Sequence, residues 1–403
     1  MTDRYLTARE AAALLKVSLP TLYAYVSRGM LRSEPVGGNP RGKRYFQADV
    51  ARLLERKELR RDPATAAART LHWGTPVLDS SLTLIDEGRI YYRGQDAVTL
   101  ANKATVEHVA ALLWLNDAAR ADGLFANADH LRTQSDKALR LKAAGIGPVE
   151  RCQLVLARGV TGDPGAYDLR PAAVARTGAR ILRLMVSAVC DQLTSGPIDE
   201  SLQRAWLPRR SAAASALRAA LILCADHELN VSAFTARCIA SARATPYEVV
   251  IGALAALKGK RHGGYTEEVE SLFREAGRGR DPREVLANRL RLGEGLPGFG
   301  HPLYPKGDPR AATLLSLAKR VGRGSALNLA DSLAEAAQSL TGEHPTVDFA
   351  LVVLSRALDL PAHSPIALFS LGRTIGWIAH AIEQYADARL IRPRARYVGV
   401  LPD

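Results

Sequence analysis

Cysteines and long apolar stretches are scarce in this chain of 403 residues. It has only four cysteines, and no apolar run approaches the roughly 18 residues that a membrane-spanning helix requires. Cys152, Cys190, Cys224 and Cys238 show no C-x-x-C spacing and lie in apolar, helix-like sequence. We therefore expect buried thiols in a reducing compartment, with no disulfide framework and no metal site.

A secretion signal is also missing from the first residues, because Met1 to Tyr5 show no basic stretch followed by an apolar one. Together with the lack of a long apolar run, this predicts a soluble, cytoplasmic protein. The length predicts about two or three domains with a full hydrophobic core. Aromatic residues make up 6% of the chain, and sequence rich in alanine and leucine with few β-branched runs predicts a mainly helical protein.

Acidic residues are outnumbered, and the net charge of +13 is unevenly distributed. Residues 1–62 contain 13 Lys and Arg against 7 Asp and Glu, which gives +6 and leaves +7 for the other 341 residues. A basic N-terminal segment is typical of proteins that contact nucleic acid.

Two short helices separated by a turn are predicted in this basic segment. Thr7-Ala8-Arg9-Glu10 is a capping box, and it opens a helix that ends near Val17. Ser18-Leu19-Pro20-Thr21 predicts a tight turn, and a second helix is expected from Thr21 to about Met30. A helix, a short turn and a second helix form the helix-turn-helix pattern.

A basic hairpin follows the helix pair. Gly37-Gly38-Asn39-Pro40 predicts its turn, and basic and aromatic residues follow in the sequence RGKRYF. The segment resembles the winged helix-turn-helix of MerR and excisionase-type DNA-binding modules, both in LTAREAAALLKVSLPTLYAYVSRGML and in the RGKRYF wing. The resemblance implies that the second helix and the wing contact DNA. The candidate residues are Thr21, Tyr25, Arg28, Arg41, Lys43 and Arg44.

We assign residues 1–62 to this module and residues 63–75 to a linker, because Asp62-Pro63 and the alanines after it show turn rather than core character. The alternative is a small helical domain that mediates only protein contacts, since a fold does not fix a function.

Histidines of the remaining chain lie at breaks between predicted helices. A helix beginning at Asp226 would place His227 and Asn230 on one face. Thr245-Pro246-Tyr247-Glu248 is a second capping box, and the helix that it opens is followed by His262 and two glycines. Taken singly, such histidines are more often satisfied core or turn residues than functional ones.

His301 lies on a loop from Leu296 to Arg310 that contains three glycines and four prolines, which exclude a regular helix. Asp308 and Pro309 predict the N-cap and first residue of a following helix, so Arg310 falls in its first turn. A cation there opposes the helix dipole. The placement therefore favours an anion held by Arg310 and free backbone N–H groups.

Three further charged residues stand out. Asp348 begins another predicted helix, where the dipole alone stabilises an aspartate. Arg373 lies in apolar sequence within a long helix predicted from Ser364-Pro365 to about Ala388, which implies a partner anion. Arg392 belongs to a basic extended segment that needs no partner to be stable in water.

In this order, the motifs resemble the citrate synthase family. They are DHELNVSAFTAR, LKGKRHGG, GFGHPLYPKGDPRA, VDFA, GRTIGWIAHAIEQ and IRPR, and the resemblance extends from about Pro76 to the C-terminus. It implies an all-α fold with a large domain (76–225 and 325–403) and a small domain (226–324) that close over the ligands, preceded by the small winged helix-turn-helix domain. It also implies a homodimer or higher oligomer.

The resemblance implies a role for each candidate. His262 matches the histidine that stabilises the enol of acetyl-CoA, Asp348 the base that removes the methyl proton, and His301 the group that polarises the oxaloacetate carbonyl. The candidates for binding the carboxylates of oxaloacetate or citrate are His227, Arg310, Arg373 and, from across the dimer, Arg392. The CoA thioester is a substrate, and neither a metal nor another cofactor is implied.

The sequence departs from the family pattern beside these residues. Pro302 replaces the usual arginine after His301, and Tyr265-Thr266 replaces the common Ala-Asn after the HGG motif. Thr346 stands for an asparagine, and residues 350–352 are Ala-Leu-Val where the family has Tyr-Ser-Gly. All positions assigned to chemistry are retained, whereas the preferred acyl-CoA stays open.

Two hypotheses from different classes remain. One is a working synthase with an appended module, and the other is a transcription regulator whose synthase-like body only senses citrate, oxaloacetate or an acyl-CoA. The retained His262, His301 and Asp348 favour the enzyme, because a sensor needs the arginines but not the base. Within the enzyme hypothesis, propionyl-CoA would give 2-methylcitrate, since one methylene changes selectivity by only about 1 to 3 kcal/mol.

Overall fold

A computed structural model describes the protein over residues 5–28, 30–36, 39–47, 49–50, 53–54, 78–126, 145–395 and 397–400. The chain divides into two units, Met1–Asp79 and Ser80–Asp403. The linker predicted at residues 63–75 and most of the charged segment before it lie outside the described residues.

The N-terminal unit combines a helix pair with a three-stranded antiparallel sheet of strand order β1-β3-β2. Its elements are β1 (Tyr5–Thr7), α1 (Ala8–Leu15), α2 (Leu19–Ser27), β2 (Ser33–Val36) and β3 (Asn39–Phe46). The helices and β3 enclose a small apolar core, whose buried members include Ala11, Leu15, Leu22, Leu31 and Tyr45.

The predicted capping box and helix pair are confirmed. The Glu10 carboxylate accepts hydrogen bonds from the backbone N–H and the hydroxyl of Thr7, at 2.8 and 2.9 Å. Ser18 caps α2 by accepting from the N–H of Thr21, so α2 begins at Leu19 rather than at the predicted Thr21. Strands β2 and β3 form an antiparallel pair where the wing is predicted, although the turn between them lies outside the described residues.

The second unit is predominantly helical after a short antiparallel sheet of β4 (Thr83–Asp86), β5 (Arg89–Tyr92) and β6 (Gln95–Asp96). Its longer helices are α3 (Ala97–Lys103), α4 (Val106–Leu115), α5 (Ala121–Phe125), α6 (Pro148–Gly159), α7 (Pro171–Cys190), α8 (Ile198–Trp206), α9 (Ala213–Leu223), α10 (Val231–Ser241), α11 (Pro246–Leu257), α12 (Tyr265–Ala276), α13 (Pro282–Arg291), α14 (Pro309–Val321), α15 (Ser325–Thr341), α16 (Val347–Leu358) and α17 (Ser364–Asp387). This arrangement confirms the predicted all-α class.

Helix α17 is the central element of this unit. It packs against α7, α9, α10 and α11 and is buried over nearly its whole length. Two glycines allow other backbone to approach it closely. A Cβ at Gly372 would lie 2.5 Å from the carbonyl oxygen of Leu221, and one at Gly376 would lie 2.4 Å from that of Ala225. Larger residues there would push α17, and Arg373 with it, away from the end of α9.

Two sequence predictions are wrong in this unit. No helix begins at Asp226, because the residues after α9 bond to other elements, and α10 begins at Val231 with Asn230 as its N-cap. His227 instead forms an isolated β-bridge with Leu229. No helix is predicted between α14 and α16, where the structure has the 17-residue α15.

The predicted burial of the cysteines is confirmed for Cys152 and Cys224, whereas Cys190 and Cys238 are half-buried, and all four are unbridged. In the described parts of the chain, no helix is both long and apolar enough to cross a bilayer. Within the same residues, no cluster of three or more His, Cys, Asp or Glu side chains has metal-binding geometry.

Candidate active site

The loop before α14 brings His301 against His227. The two imidazole rings meet edge to face, with their centroids 5.2 Å apart. Tyr304 lies beside both rings, and its hydroxyl is 3.0 Å from Nε2 of His227. His227 thus shares one polar cluster with His301 and Tyr304, which follow it by 74 and 77 positions in the sequence. The sequence predicted the two histidines as site residues but not Tyr304.

Left-handed glycines shape this loop, as its composition predicts. Gly298 has a φ of 86°, and Gly300 has a φ of 75°. Two backbone hydrogen bonds join the loop to the residues before α16. Gly300 N–H donates to the carbonyl of His344 at 2.9 Å, and Thr346 N–H donates to that of Gly298 at 2.8 Å. The same two bonds therefore fix His301 relative to the start of α16, which carries Asp348.

Arg310 lies in the first turn of α14, as predicted, but the structure gives it an anion from its own chain. The Asp308 carboxylate caps α14 and accepts from Nε and Nη2 of Arg310 at 2.9 and 2.8 Å, with both side chains buried. It also accepts from the N–H of Val347 at 3.1 Å. Burial alone would lower the pKa of Arg310, but the Asp308 carboxylate raises it above the ordinary value. The position of this arginine in the first turn is therefore explained by Asp308 without an external anion, and its binding of a substrate anion stays a prediction.

Asp348 lies in the first turn of α16, where its side chain is half-buried. Burial raises the pKa of its carboxyl to about 6, although the positive charge of Arg310 offsets part of the rise. A carboxylate with such a pKa is a stronger base than an exposed aspartate and is still ionised at neutral pH. Such a pKa suits a group that accepts a proton near neutral pH.

His262 lies in the turn between α11 and α12, directly after the helix that the second capping box begins. Its Nε2 is 2.7 Å from the hydroxyl of Ser232, which also receives the indole N–H of Trp377 at 3.1 Å. Burial and the charge of Arg373 lower the pKa of His262 to about 3, so the imidazole is neutral. The Ser232 hydroxyl donates its one proton to Oδ1 of Asn230 at 2.8 Å, so it accepts from Nε2–H of His262, and Nδ1 of the ring carries no proton in this arrangement.

His301 is also a neutral donor. Its Nδ1 accepts the N–H of Leu303 at 3.2 Å, which leaves the ring proton on Nε2. Burial and the neighbouring Arg310 lower the pKa of His301 to about 4. Burial, followed by the charges of Arg310 and Arg373, also lowers the pKa of His227 far below its ordinary value. Both rings thus offer hydrogen bonds without carrying charge at neutral pH.

Arg373 projects from α17 into the same region and is 1% exposed. Its Nε donates to the carbonyl of Cys224 at 2.8 Å, and its guanidinium carbon lies 4.8 Å from the ring centroid of Phe369. Its Nη2 is buried and has no hydrogen-bond partner among the described residues. A buried guanidinium donor without a partner is energetically costly, and this atom is free to donate to an acceptor that enters the site.

The remaining predicted residue of the site, Arg392, makes none of these contacts. It is exposed in the tail after α17, and it forms no ion pair or hydrogen bond within the described part of its own chain. Sequence reasoning missed Ser232 and Asp308 as partners of His262 and Arg310. Both are within the quoted motifs, but only the fold shows which side chain each one contacts.

The residues predicted to contact DNA differ in their solvent exposure and in the contacts that their side chains already make. Arg28, the residue that caps the C-terminus of α2, is exposed, whereas Thr21 and Tyr25 of α2 are half-buried, and the Thr21 hydroxyl is 2.9 Å from that of Ser18. On β3, Lys43 is exposed, and Arg44 pairs with Glu34 at 3.0 Å while covering the Tyr5 ring. Arg41 lies in β3, but its side chain is outside the described part of the structure.

Comparison with known proteins agrees with both units. Residues 70–394 match the family model described as "Citrate synthase, C-terminal domain", and residues 5–58 match "Helix-turn-helix domain". "Citrate synthase 2" of Bacillus subtilis is 39% identical over 190 residues, which are 46% of this chain and only 50% of that protein. "2-methylcitrate synthase" of Mycobacterium tuberculosis is 31% identical over 339 residues, or 76% of this chain and 84% of that protein. Among solved structures, the citrate synthase of Thermotoga maritima is 28% identical with a TM-score of 0.71, covering 82% of this chain and 95% of that one.

Proposed function

Because the chain belongs to the citrate synthase family, we propose that it condenses acetyl-CoA with oxaloacetate and hydrolyses the product to citrate and CoA. The observation that carries the proposal is the unpartnered Nη2 of Arg373 in a site that also contains neutral histidines and a carboxylate of raised pKa. An anion site, neutral donors and a base are what this reaction needs. We place the reaction in the cytoplasm.

In the first step, Asp348 removes a proton from the methyl group of acetyl-CoA. A thioester methyl is a weak acid, so the developing negative charge on the thioester oxygen must be stabilised as the proton leaves. The Nδ1–H of His262 supplies that hydrogen bond once the Ser232 hydroxyl turns from Oδ1 of Asn230 to Nε2 of His262, 2.7 Å away, and the ring proton moves to Nδ1. A neutral imidazole donates without leaving a buried positive charge behind.

In the second step, the enol carbon attacks the ketone carbon of oxaloacetate and forms the new carbon–carbon bond. His301 donates its Nε2–H to the ketone oxygen, which becomes the hydroxyl of citryl-CoA. Arg310, Arg373 and His227 hold the two carboxylates of oxaloacetate so that the ketone faces the enol. Arg392 completes this set from a second copy of the chain, which makes the active unit a homodimer. Water then cleaves the thioester of citryl-CoA and releases citrate and free CoA.

Propionyl-CoA is the second acyl donor to test, and 2-methylcitrate would be its product. Tyr265 stands beside the catalytic loop in place of the family's alanine, and its hydroxyl lies 3.4 Å from the carbonyl of Leu296. A bulky side chain there changes the space next to His262. A thiol-release assay with oxaloacetate and either acetyl-CoA or propionyl-CoA decides between the two donors. Absence of thiol release with both would refute the proposed reaction.

We also propose that the N-terminal unit binds DNA. The exposed Arg28 and Lys43 lie at the C-terminal end of α2 and on β3 of the predicted wing, in a segment that carries nearly half of the net charge. A homodimer presents two such units, so a palindromic site is the natural target. If the second unit also catalyses the proposed condensation, the protein combines an enzyme with a DNA-binding module. If it only binds its ligands, the regulator hypothesis is favoured.

A further inference from the structure

The segment that carries His227 is tied to the rest of the unit at consecutive peptide groups. Every carbonyl from residue 223 to residue 226 lies within hydrogen-bond distance of a donor on β5 or α17. The Tyr92 hydroxyl shares its one proton between the first and the last, at 3.3 and 3.2 Å, whereas Arg373 Nε donates to the second at 2.8 Å and Gly376 N–H to the third at 2.9 Å. These bonds hold the backbone that places His227, in a region that has no helix to support it.

A chain of three buried side chains lies behind this segment. Arg237 Nε donates to Nδ1 of His380 at 3.2 Å, and Nε2 of His380 lies 3.2 Å from Oδ1 of Asp226. Arginine acts only as a donor, so Nδ1 must accept and the ring proton must be on Nε2, directed at Asp226. The hydroxyl of Thr83 donates to the other carboxylate oxygen at 2.6 Å. Asp226 and His380 are each fully shielded from water.

Arg237, at the far end of this chain of side chains from Asp226, is also held by other residues. Arg237 forms an ion pair with Glu383, whose carboxylate accepts the backbone N–H of Ser81 and the hydroxyl of Ser80 at 2.8 and 2.9 Å. The chain of contacts therefore runs from the start of this unit, through α10 and α17, to the residue preceding His227.

Asp226 also supplies a fixed negative charge behind the site. Burial alone would raise the pKa of its carboxyl, but His380, Arg373 and the Thr83 hydroxyl together lower it below the ordinary value. The group is therefore ionised at neutral pH. It makes no direct ion pair with Arg373 in the described structure, so the guanidinium keeps its unpartnered Nη2 while its charge is balanced nearby.

We propose that the Asp226–His380–Arg237 chain positions His227 and Arg373 for the carboxylates of oxaloacetate, which makes these three residues positioning residues for substrate binding. This inference rests on the function proposed above. Groups that bind a substrate must be held to within about 0.5 Å, and a loop without its own regular structure achieves that only through such supporting bonds. None of the three touches the reacting atoms, so the chain acts on binding and not on proton transfer.

The test uses two substitutions of His380 in the full-length protein. His380→Phe keeps the ring but removes both hydrogen bonds, and His380→Gln keeps a donor for Asp226. We expect His380→Phe to raise KM for oxaloacetate by about 10-fold or more, the loss expected for hydrogen bonds to charged groups. The KM for acyl-CoA should stay unchanged and kcat should fall by less than about threefold. His380→Gln should recover at least part of the lost affinity.

Tyr247→Phe is the matched control, because it removes a hydrogen bond of 3.1 Å from another buried carboxylate, Asp163, outside the site. It should lower Tm without changing KM for oxaloacetate. A double-mutant cycle of Asp226→Asn and His380→Phe should be strongly non-additive, because the two residues act through one chain. Additive effects, or a His380→Phe variant with lower Tm and unchanged KM, would overturn the proposal.

Calorimetric titration with oxaloacetate repeats the comparison without requiring turnover. A wild-type protein that binds oxaloacetate but releases no thiol refutes the proposed reaction, whereas the positioning role is still tested by the Kd values. Equal Kd values for the wild type and His380→Phe refute the positioning role, even if the wild type is a fully active synthase. Loss of binding in His380→Phe with recovery in His380→Gln supports it.

Discussion

Replacing Asp348 with asparagine should inactivate the enzyme and stabilise the protein at the same time. The amide has nearly the shape of the carboxylate but does not accept a proton, so kcat should fall by about 10²- to 10⁴-fold, the usual contribution of a general base. Arg310 and Arg373 remain in place, so calorimetry should show that oxaloacetate binding is largely retained. An Asp348→Asn variant with near-normal kcat would remove Asp348 as the base.

The expected gain in stability follows from the raised pKa of Asp348. An unfolded aspartate ionises near pH 4, whereas burial holds the folded carboxyl protonated up to a pKa of about 6. Ionising Asp348 therefore destabilises the folded state as pH rises through this window. A difference of about two pKa units corresponds to at most about 3 kcal/mol at pH 8, and asparagine avoids this penalty.

Urea unfolding of the wild type and Asp348→Asn measures this difference. The variant should have the larger free energy of unfolding at pH 8, by about 1 to 3 kcal/mol, and the gain should shrink to about half at pH 5. Asp348→Glu is a suitable comparison, because it retains the charge and should show no such gain. If asparagine leaves the free energy of unfolding unchanged at pH 8 or lowers it, the raised pKa of the buried carboxyl is wrong, whatever happens to activity.

Three other substitutions have distinct expected results. Arg310→Ala should raise KM for oxaloacetate and lower the free energy of unfolding by about 3 to 5 kcal/mol, because it leaves Asp308 buried and unpaired; an unchanged KM in a steady-state assay would exclude Arg310 from the anion site. His262→Ala should lower kcat with little change in oxaloacetate binding, since its Nδ1–H acts on the thioester, and single-turnover kinetics would reveal any contrary loss of binding. Alanine at Arg41, Lys43 and Arg44 together should reduce the slope of log K against log salt by up to about 2.7 in titrations with genomic duplex fragments, and an unchanged slope would show that the wing does not contact phosphates.

Local signals predicted the helix starts well. The capping boxes at Thr7-Glu10 and Thr245-Glu248, and the N-cap and proline at Asp308-Pro309, each involve residues within one helical turn, so their effect does not depend on the rest of the fold. The loop around His301 was predicted for the same reason, because its glycines and prolines exclude a helix in any context.

Long-range contacts explain what the sequence did not predict. Asp226 is a reasonable helix-starting residue by itself, but the carbonyl of Ala225 accepts its hydrogen bond from Gly376 of α17, far along the chain. The sequence suggested an external anion beside Arg310 because the two hydrogen bonds that Arg310 donates to Asp308 depend on the side-chain conformation within the turn. The identities of the site residues came from the resemblance of their motifs, whereas their neutral histidines and raised carboxyl pKa follow only from burial in the folded protein.

The thiol-release assay on the full-length wild-type protein is the most direct test of the central claim. We predict that CoA appears only when oxaloacetate and an acyl-CoA are both present, and that the rate with acetyl-CoA or propionyl-CoA falls as pH is lowered through about 6, where Asp348 becomes protonated. Protein that binds oxaloacetate by calorimetry yet releases no thiol from either acyl-CoA, at any pH from 5 to about 9, would contradict the account and leave a ligand-sensing body in place of an enzyme.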